Sequence, residues 1–156
     1  MKIIGCIIVI ITSSYVGFYL ACKETVRLMM LEEIYRFTRS LKDGIDKRLT
    51  LKEIATRYTI LEKPKYLKGN SRDEILKSLF TIEKSGLCPK ATSVLKSLLS
   101  AVGKSSDAGE IFKKCAESLD VTKEMLISAR EEYKRKKPLY LKLGAVLGVL
   151  VCVTVI

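Results

Sequence analysis

Two uncharged apolar runs frame this chain and constrain it more than anything between them. Residues 3–22 carry no charge, and neither do residues 143–156. Every charged side chain except Lys2 lies between them. That is the layout of a soluble domain hung from a membrane by both ends. The first run spans about 30 Å as a helix, the hydrocarbon thickness of a bilayer. The second is shorter, and reaches spanning length if residues 139–141 also enter and Lys142 snorkels to the headgroups. The expected division is an N-terminal transmembrane helix over residues 1–22, a helical domain over 23–138 and a C-terminal transmembrane helix over 139–156.

Short-range Lys and Arg set the orientation. Lys23 and Arg27 follow the first run; Arg130, Lys134, Arg135, Lys136, Lys137 and Lys142 precede the second; only Lys2 lies on the other side. Positive residues stay inside, so the domain is expected in the cytoplasm with both termini extracytoplasmic. The rival is a secretory signal with a lipoprotein cleavage site at Tyr19-Leu20-Ala21-Cys22. It fits poorly, because bulky Tyr19 sits where a small aliphatic residue is usual and the basic domain would end up outside.

The chain has 156 residues and a formal net charge of +11, enough for one domain. It has no His, which excludes imidazole acid–base chemistry, His-based triads and His metal sites. Five cysteines, Cys6, Cys22, Cys88, Cys115 and Cys152, form no CxxC and no metal spacing. They read as reduced, mostly buried thiols.

Within the domain, Met30, Ile34, Phe37 and Leu41 recur at helical spacing with Leu28, Leu31 and Tyr35 beside them, and Asp43-Gly44 is expected to end that helix. Thr50-Leu51-Lys52-Glu53 is a capping box opening a helix with Leu51, Ile54, Ala55 and Tyr58 inward. Residues 62–70 read as a basic loop. Ser71-Arg72-Asp73-Glu74 is a second box, before a helix expected to bury Ile75, Leu76, Leu79, Phe80 and Ile82 and to stop at Gly86. Pro89 suits the first turn of a fourth helix carrying Val94, Leu95, Leu98 and Leu99, ending before Gly103. Asp107-Ala108-Gly109-Glu110 repeats the cap spacing. Then Ile111, Cys115, Leu119, Thr122, Leu126, Ala129 and Tyr133 hold one phase, predicting a continuous helix over about residues 109–137, with Pro138 bending it at the membrane. No stretch alternates with period two. The fold class is all-α, a compact bundle flanked by the two membrane helices.

No catalytic constellation emerges, and no cofactor or small-molecule substrate is expected. Val102-Gly103-Lys104-Ser105 resembles the tail of a phosphate-binding loop, but its first glycine position is Leu98 and no strand precedes it. The pairs Glu32-Glu33 and Glu131-Glu132 read as solvated. Nucleic-acid binding has only the basic excess in its favour; Lys and Glu are interspersed, without an aromatic platform. Ser13 with Gly17, and Gly144 with Gly148, are small-xxx-small patterns that permit close helix packing in a bilayer. Lys63, Lys65 and Lys68 in the basic loop are candidate contacts for an acidic partner surface.

The order of these features resembles the stage III sporulation protein AB family of endospore-forming Firmicutes. The opening Met1-Lys2-Ile3-Ile4-Gly5-Cys6 running to Gly17-Phe18-Tyr19-Leu20-Ala21 is similar to the family's first span. Leu41-Lys42-Asp43-Gly44-Ile45 with Leu49-Thr50-Leu51-Lys52-Glu53-Ile54-Ala55 resembles its first helical hairpin, and Ser105-Ser106-Asp107-Ala108-Gly109-Glu110 its Ser-Asp turn. Leu139-Tyr140-Leu141-Lys142-Leu143-Gly144-Ala145-Val146-Leu147-Gly148 is similar to its terminal signature. The resemblance implies a cytoplasmic domain like that of type II secretion F-type platform proteins. It further implies a non-enzymatic subunit of a secretion-like channel between mother cell and forespore. The implied partners are an ATPase, stage III sporulation protein AA, and other membrane subunits, with the domain facing the mother-cell cytoplasm.

Overall fold

The computed structural model describes residues 2–84, 89–102 and 108–155. The stop expected at Gly86, Cys88, the Gly103-Lys104-Ser105 turn and the Asp107 cap lie outside the described residues, as do the side chains of Cys6 and Cys152. Five helices make up the described chain, with no strand among them: α1 Lys2–Asp46, α2 Leu51–Glu62, α3 Arg72–Lys84, α4 Pro89–Val102 and α5 Ala108–Val155. They divide into two compact units, one of Met1–Leu28 with Ser128–Ile156, the other of Met29–Ile127.

The Met29–Ile127 unit packs its apolar side chains into one interior. The α1 stripe Met30, Leu31, Ile34, Phe37 and Leu41 is buried, with Leu28 and Tyr35 at its margin. From α2 it takes Ile54, Ala55 and Tyr58; from α3, Ile75, Leu79 and Ile82; from α4, Leu95, Leu98 and Leu99; and from α5, Ile111, Cys115 and Leu126. Each large aliphatic side chain so buried contributes about 1.5–3 kcal/mol. Phe37 and Tyr58 meet edge to face, centroids 5.2 Å apart at 77°. Three buried threonines spend their hydroxyls on carbonyls one turn back, Thr38 on Ile34, Thr92 on Pro89 and Thr122 on Ser118.

Local signals hold where the chemistry is local. The Thr50 box forms in both directions: the Glu53 amide donates to Thr50 Oγ1 and the Glu53 carboxylate accepts the Thr50 amide. These bonds to Thr50 hold the Glu53 carboxyl below its usual range. The second box forms by half. The Glu74 amide donates to Ser71 Oγ at 3.3 Å, but the Glu74 carboxylate takes the Asn70 amide at 2.7 Å instead of that of Ser71. The α4 helix begins at Pro89 as its missing N–H predicts.

Two expectations are corrected. α1 runs through Asp43-Gly44 to Asp46, and it ends in a Schellman motif in which the left-handed residue is Arg48 (φ 56°). There Leu49 N–H donates to the Gly44 carbonyl and Arg48 N–H to that of Ile45. Gly44 is a packing glycine: a Cβ there would run into the Ile54 side chain. Phe80 is not inward. It is 54% exposed, with the Lys84 ammonium 4.8 Å from its ring centroid and that of Lys96 5.9 Å. As expected, α5 is continuous over residues 109–137, and it stays helical through Pro138 as far as Val155.

The other unit inverts the rule for soluble proteins. In it α1 buries Gly17 and Ala21, and α5 buries Gly144 and Gly148. Large apolar side chains point outward, among them Ile11, Tyr15, Phe18 and Tyr19 on α1 and Leu143, Val146, Leu150 and Val153 on α5. Among the described residues one helix, Ile7–Asp46, is long and apolar enough to cross a membrane.

Candidate functional site

Two places carry chemistry that sequence singled out, one in each unit. In the first, the small residues of the two patterns lie against one another. Ser13 Oγ donates to the Gly144 carbonyl at 2.6 Å. A Cβ on Gly17 would stand 2.6 Å from the Tyr140 carbonyl oxygen and 3.2 Å from Gly144 Cα. One on Gly148 would stand 3.1 Å from Ile10 Cα and 3.3 Å from Ser13 Cβ. Glycine at these positions therefore lets two backbones touch, and the Ser13 hydroxyl spans the gap. Further along the pair, Thr25 donates to Tyr133 Oη at 3.3 Å and Lys137 Nζ lies 2.8 Å from the same oxygen. Those two bonds hold the Tyr133 phenol below its usual range.

The second place is the segment between α2 and α3. Lys63, the C-cap of α2, takes the left-handed conformation (φ 44°, ψ 56°) and ends the helix just ahead of Pro64. Pro64 and Leu67 are buried and dock the segment on the bundle, leaving Lys63, Lys65 and Lys68 exposed. All three lysines are exposed, Lys63 and Lys65 before buried Leu67 in sequence and Lys68 after it.

What anchors the segment was missed in the sequence. The Glu33 carboxylate accepts backbone amides from Lys65 (2.7 Å), Tyr66 (2.8 Å) and Leu67 (3.0 Å). The same residue's carbonyl accepts the Tyr58 hydroxyl at 3.0 Å. Burial, then the Glu33 and Glu62 carboxylates, push the Tyr58 phenol upward. Glu33 is therefore no solvated member of an adjacent pair; it is the clamp of the loop. Its signal was its phase: it lies three residues after Met30 and four before Phe37, on the buried side. Glu132, from the other adjacent pair, is bonded to Lys136 at 2.8 Å.

Among the described residues no three Cys, Asp or Glu gather where they could hold a metal. Leu98, at the first-glycine position of the phosphate-loop lookalike, is a core residue of α4. Of the described thiols, Cys115 is fully buried and its pKa is pushed up to about 11 by burial, while Cys22 is exposed.

The model of the family described as stage III sporulation protein AB matches residues 2–156, essentially the whole chain. The chain belongs to that family. Family membership assigns it to stage III of sporulation, in a structural family rather than a known enzyme family. No curated protein matches it, and no solved structure does.

Proposed function

We propose that this chain is a two-pass membrane subunit of the stage III sporulation channel, a non-enzymatic platform whose Met29–Ile127 unit stands in the mother-cell cytoplasm and docks an ATPase. The observation that supports this most is the inverted packing of the Met1–Leu28 and Ser128–Ile156 unit. In water, burying glycine and exposing isoleucine, phenylalanine and valine is unfavourable. In lipid the tails are as apolar as leucine, so helices associate through close backbone contact and polar bridges instead. Gly17, Gly144, Gly148 and the Ser13–Gly144 bond are that kind of contact. On this reading the unit is a transmembrane hairpin of residues 1–22 and 139–156, and the basic residues beside it sit at the cytoplasmic face.

Docking follows from what the other unit presents. It offers exposed lysines on an anchored loop, and both of its chain ends lead into the membrane hairpin. Tethering reduces the freedom lost when a partner binds at the same membrane. The partners on this reading are stage III sporulation protein AA and the other membrane subunits, and the unit plays the part of a type II secretion F-type platform domain.

Two measurements test it. Cys115 is buried and is a poor topology reporter, so the reporter is Lys65→Cys. An impermeant maleimide should label it only after permeabilisation; labelling in intact cells would overturn the orientation. The full chain in detergent should retain the ATPase in a pull-down that weakens with salt. Failure to retain it at low salt would remove the docking role and leave the membrane anchoring to stand.

A further inference from the structure

The outer face of α2 carries two large aliphatic side chains that the bundle does not use. Ile60 is 66% exposed and Leu61 70% exposed, on a helix whose inward face is already complete with Ile54, Ala55 and Tyr58. They line a groove of about 680 Å³ together with Lys52, Glu53 and Arg57. Arg57 and Leu61 also line an adjoining groove of about 420 Å³, reached by Asp43, Lys47 and Leu49. The two grooves therefore share one ridge.

The charge around that ridge is unbalanced. Lys47, Lys52 and Arg57 are exposed cations. Two carboxylates line the same grooves, Asp43 and Glu53, the latter with one oxygen accepting from both the amide and the hydroxyl of Thr50 at 2.8 Å, so the cations exceed the acids by one. The surface thus joins an apolar strip to a cationic border.

We propose that this α2 ridge and its two grooves are a docking site for an amphipathic helix of a partner protein, one whose apolar stripe is flanked by Asp and Glu. Leu61 and Ile60 take the apolar stripe, and Lys47, Lys52 and Arg57 face the acidic flanks. A second copy of this chain fits less well, because it would bring the same excess of cations to both sides of the contact. A lipid surface is apolar and anionic too, but it needs a convex face and would leave grooves of this size unfilled. The proposal deepens the platform reading by naming where the partner docks, and rests on it.

The test uses the full chain in phosphatidylcholine nanodiscs and two labelled synthetic helices with the same leucine stripe, one flanked by Glu and one by Lys. The Glu-flanked helix should bind, and Leu61→Ser should weaken it about tenfold or more. Lys52→Glu with Arg57→Glu should reverse the preference toward the Lys-flanked helix. All these side chains are exposed, so circular dichroism should be unchanged. Equal binding of both helices, binding of neither, or binding indifferent to Leu61→Ser would overturn the site. So would concentration-dependent dimerisation lost in Leu61→Ser. Hydrogen-exchange protection of residues 51–62 induced by phosphatidylglycerol discs alone would give the face to lipid and overturn it as well. The ATPase pull-down separates this from the platform reading: retention by both wild type and Leu61→Ser would sink the groove and spare the platform.

Discussion

Gly69 has room for a hydrogen and nothing larger. A Cβ there would stand 2.7 Å from Glu74 Cβ, 2.9 Å from the Ile75 nitrogen and 3.0 Å from the Glu74 carbonyl carbon, at a φ of 153°. Two of those neighbours are backbone at the start of α3 and cannot turn aside. Gly69→Ala should cost about 1–3 kcal/mol, read from the urea midpoint. Glu33 is the residue that sequence reasoning read least well, because its partners are amides more than thirty residues away in the chain. Glu33→Ala strips three donors of their acceptor. Water reaches part of that loop, so the expected loss is about 1–3 kcal/mol, not three times that. Hydrogen exchange at Lys65, Tyr66 and Leu67 should speed up while the α4 core stays protected. Cys115 gives a pH dependence. Its folded pKa is raised, from 9.0 to about 11, so its contribution to stability is complete below pH 9 and is lost as pH rises toward 11. Wild type should exceed Cys115→Ala in stability near neutrality, and the gap should narrow from pH 9 upward in thermal melts. A gap that stays constant to pH 11 would mean the thiol is not desolvated.

At the scale of elements, legibility follows the range of the interaction. The Thr50 box and Pro89 at the start of α4 involve groups within three residues of each other, and residue type alone specifies them. Helical phase found the α1 and α5 stripes for the same reason. Asp43-Gly44 looked like a stop because glycine ends many helices, yet Gly44 is there for Ile54, which only the α1–α2 packing brings near. Phe80 looked like core because phenylalanine usually is, and two lysines from different helices gave it another home. The small-residue patterns could be read as permission for close approach, but which residue meets which was not in the spacing. The structure sets Gly17 against Tyr140 and Gly144. Gly17→Val would put branched carbons where the Tyr140 carbonyl oxygen lies 2.6 Å from even a Cβ. The pair must separate, and the Ser13–Gly144 bond with it. The expected outcome is a lower melting temperature of the full chain in detergent, by more than Ile11→Val, which changes an exposed side chain on the same helix. Equal effects would show that close contact is not what holds these helices.

For the molecule as a whole, the division into units makes the strongest claim about what can stand alone. Every residue of the bundle core from Met30 to Leu126 lies within Met29–Ile127. A segment of about 100 residues is large enough for one independent core. Its helices α2, α3 and α4 are whole, and the cut in α1 falls just before the buried stripe begins at Met30. Cutting α5 after Ile127 leaves Leu126 with a single helical residue beyond it, while Thr122 keeps more than a turn, so fraying should be confined to that end. Fragment 29–127 should therefore be soluble, helical by circular dichroism and cooperative in thermal unfolding. Removing only residues 143–156 should disturb this unit still less, since Gly144 and Gly148 belong to the other one. A fragment that is helical but melts without cooperativity would mean that residues 1–28 or 128–156 complete its core. The chain would then be one folding unit, with the anchors as part of the bundle.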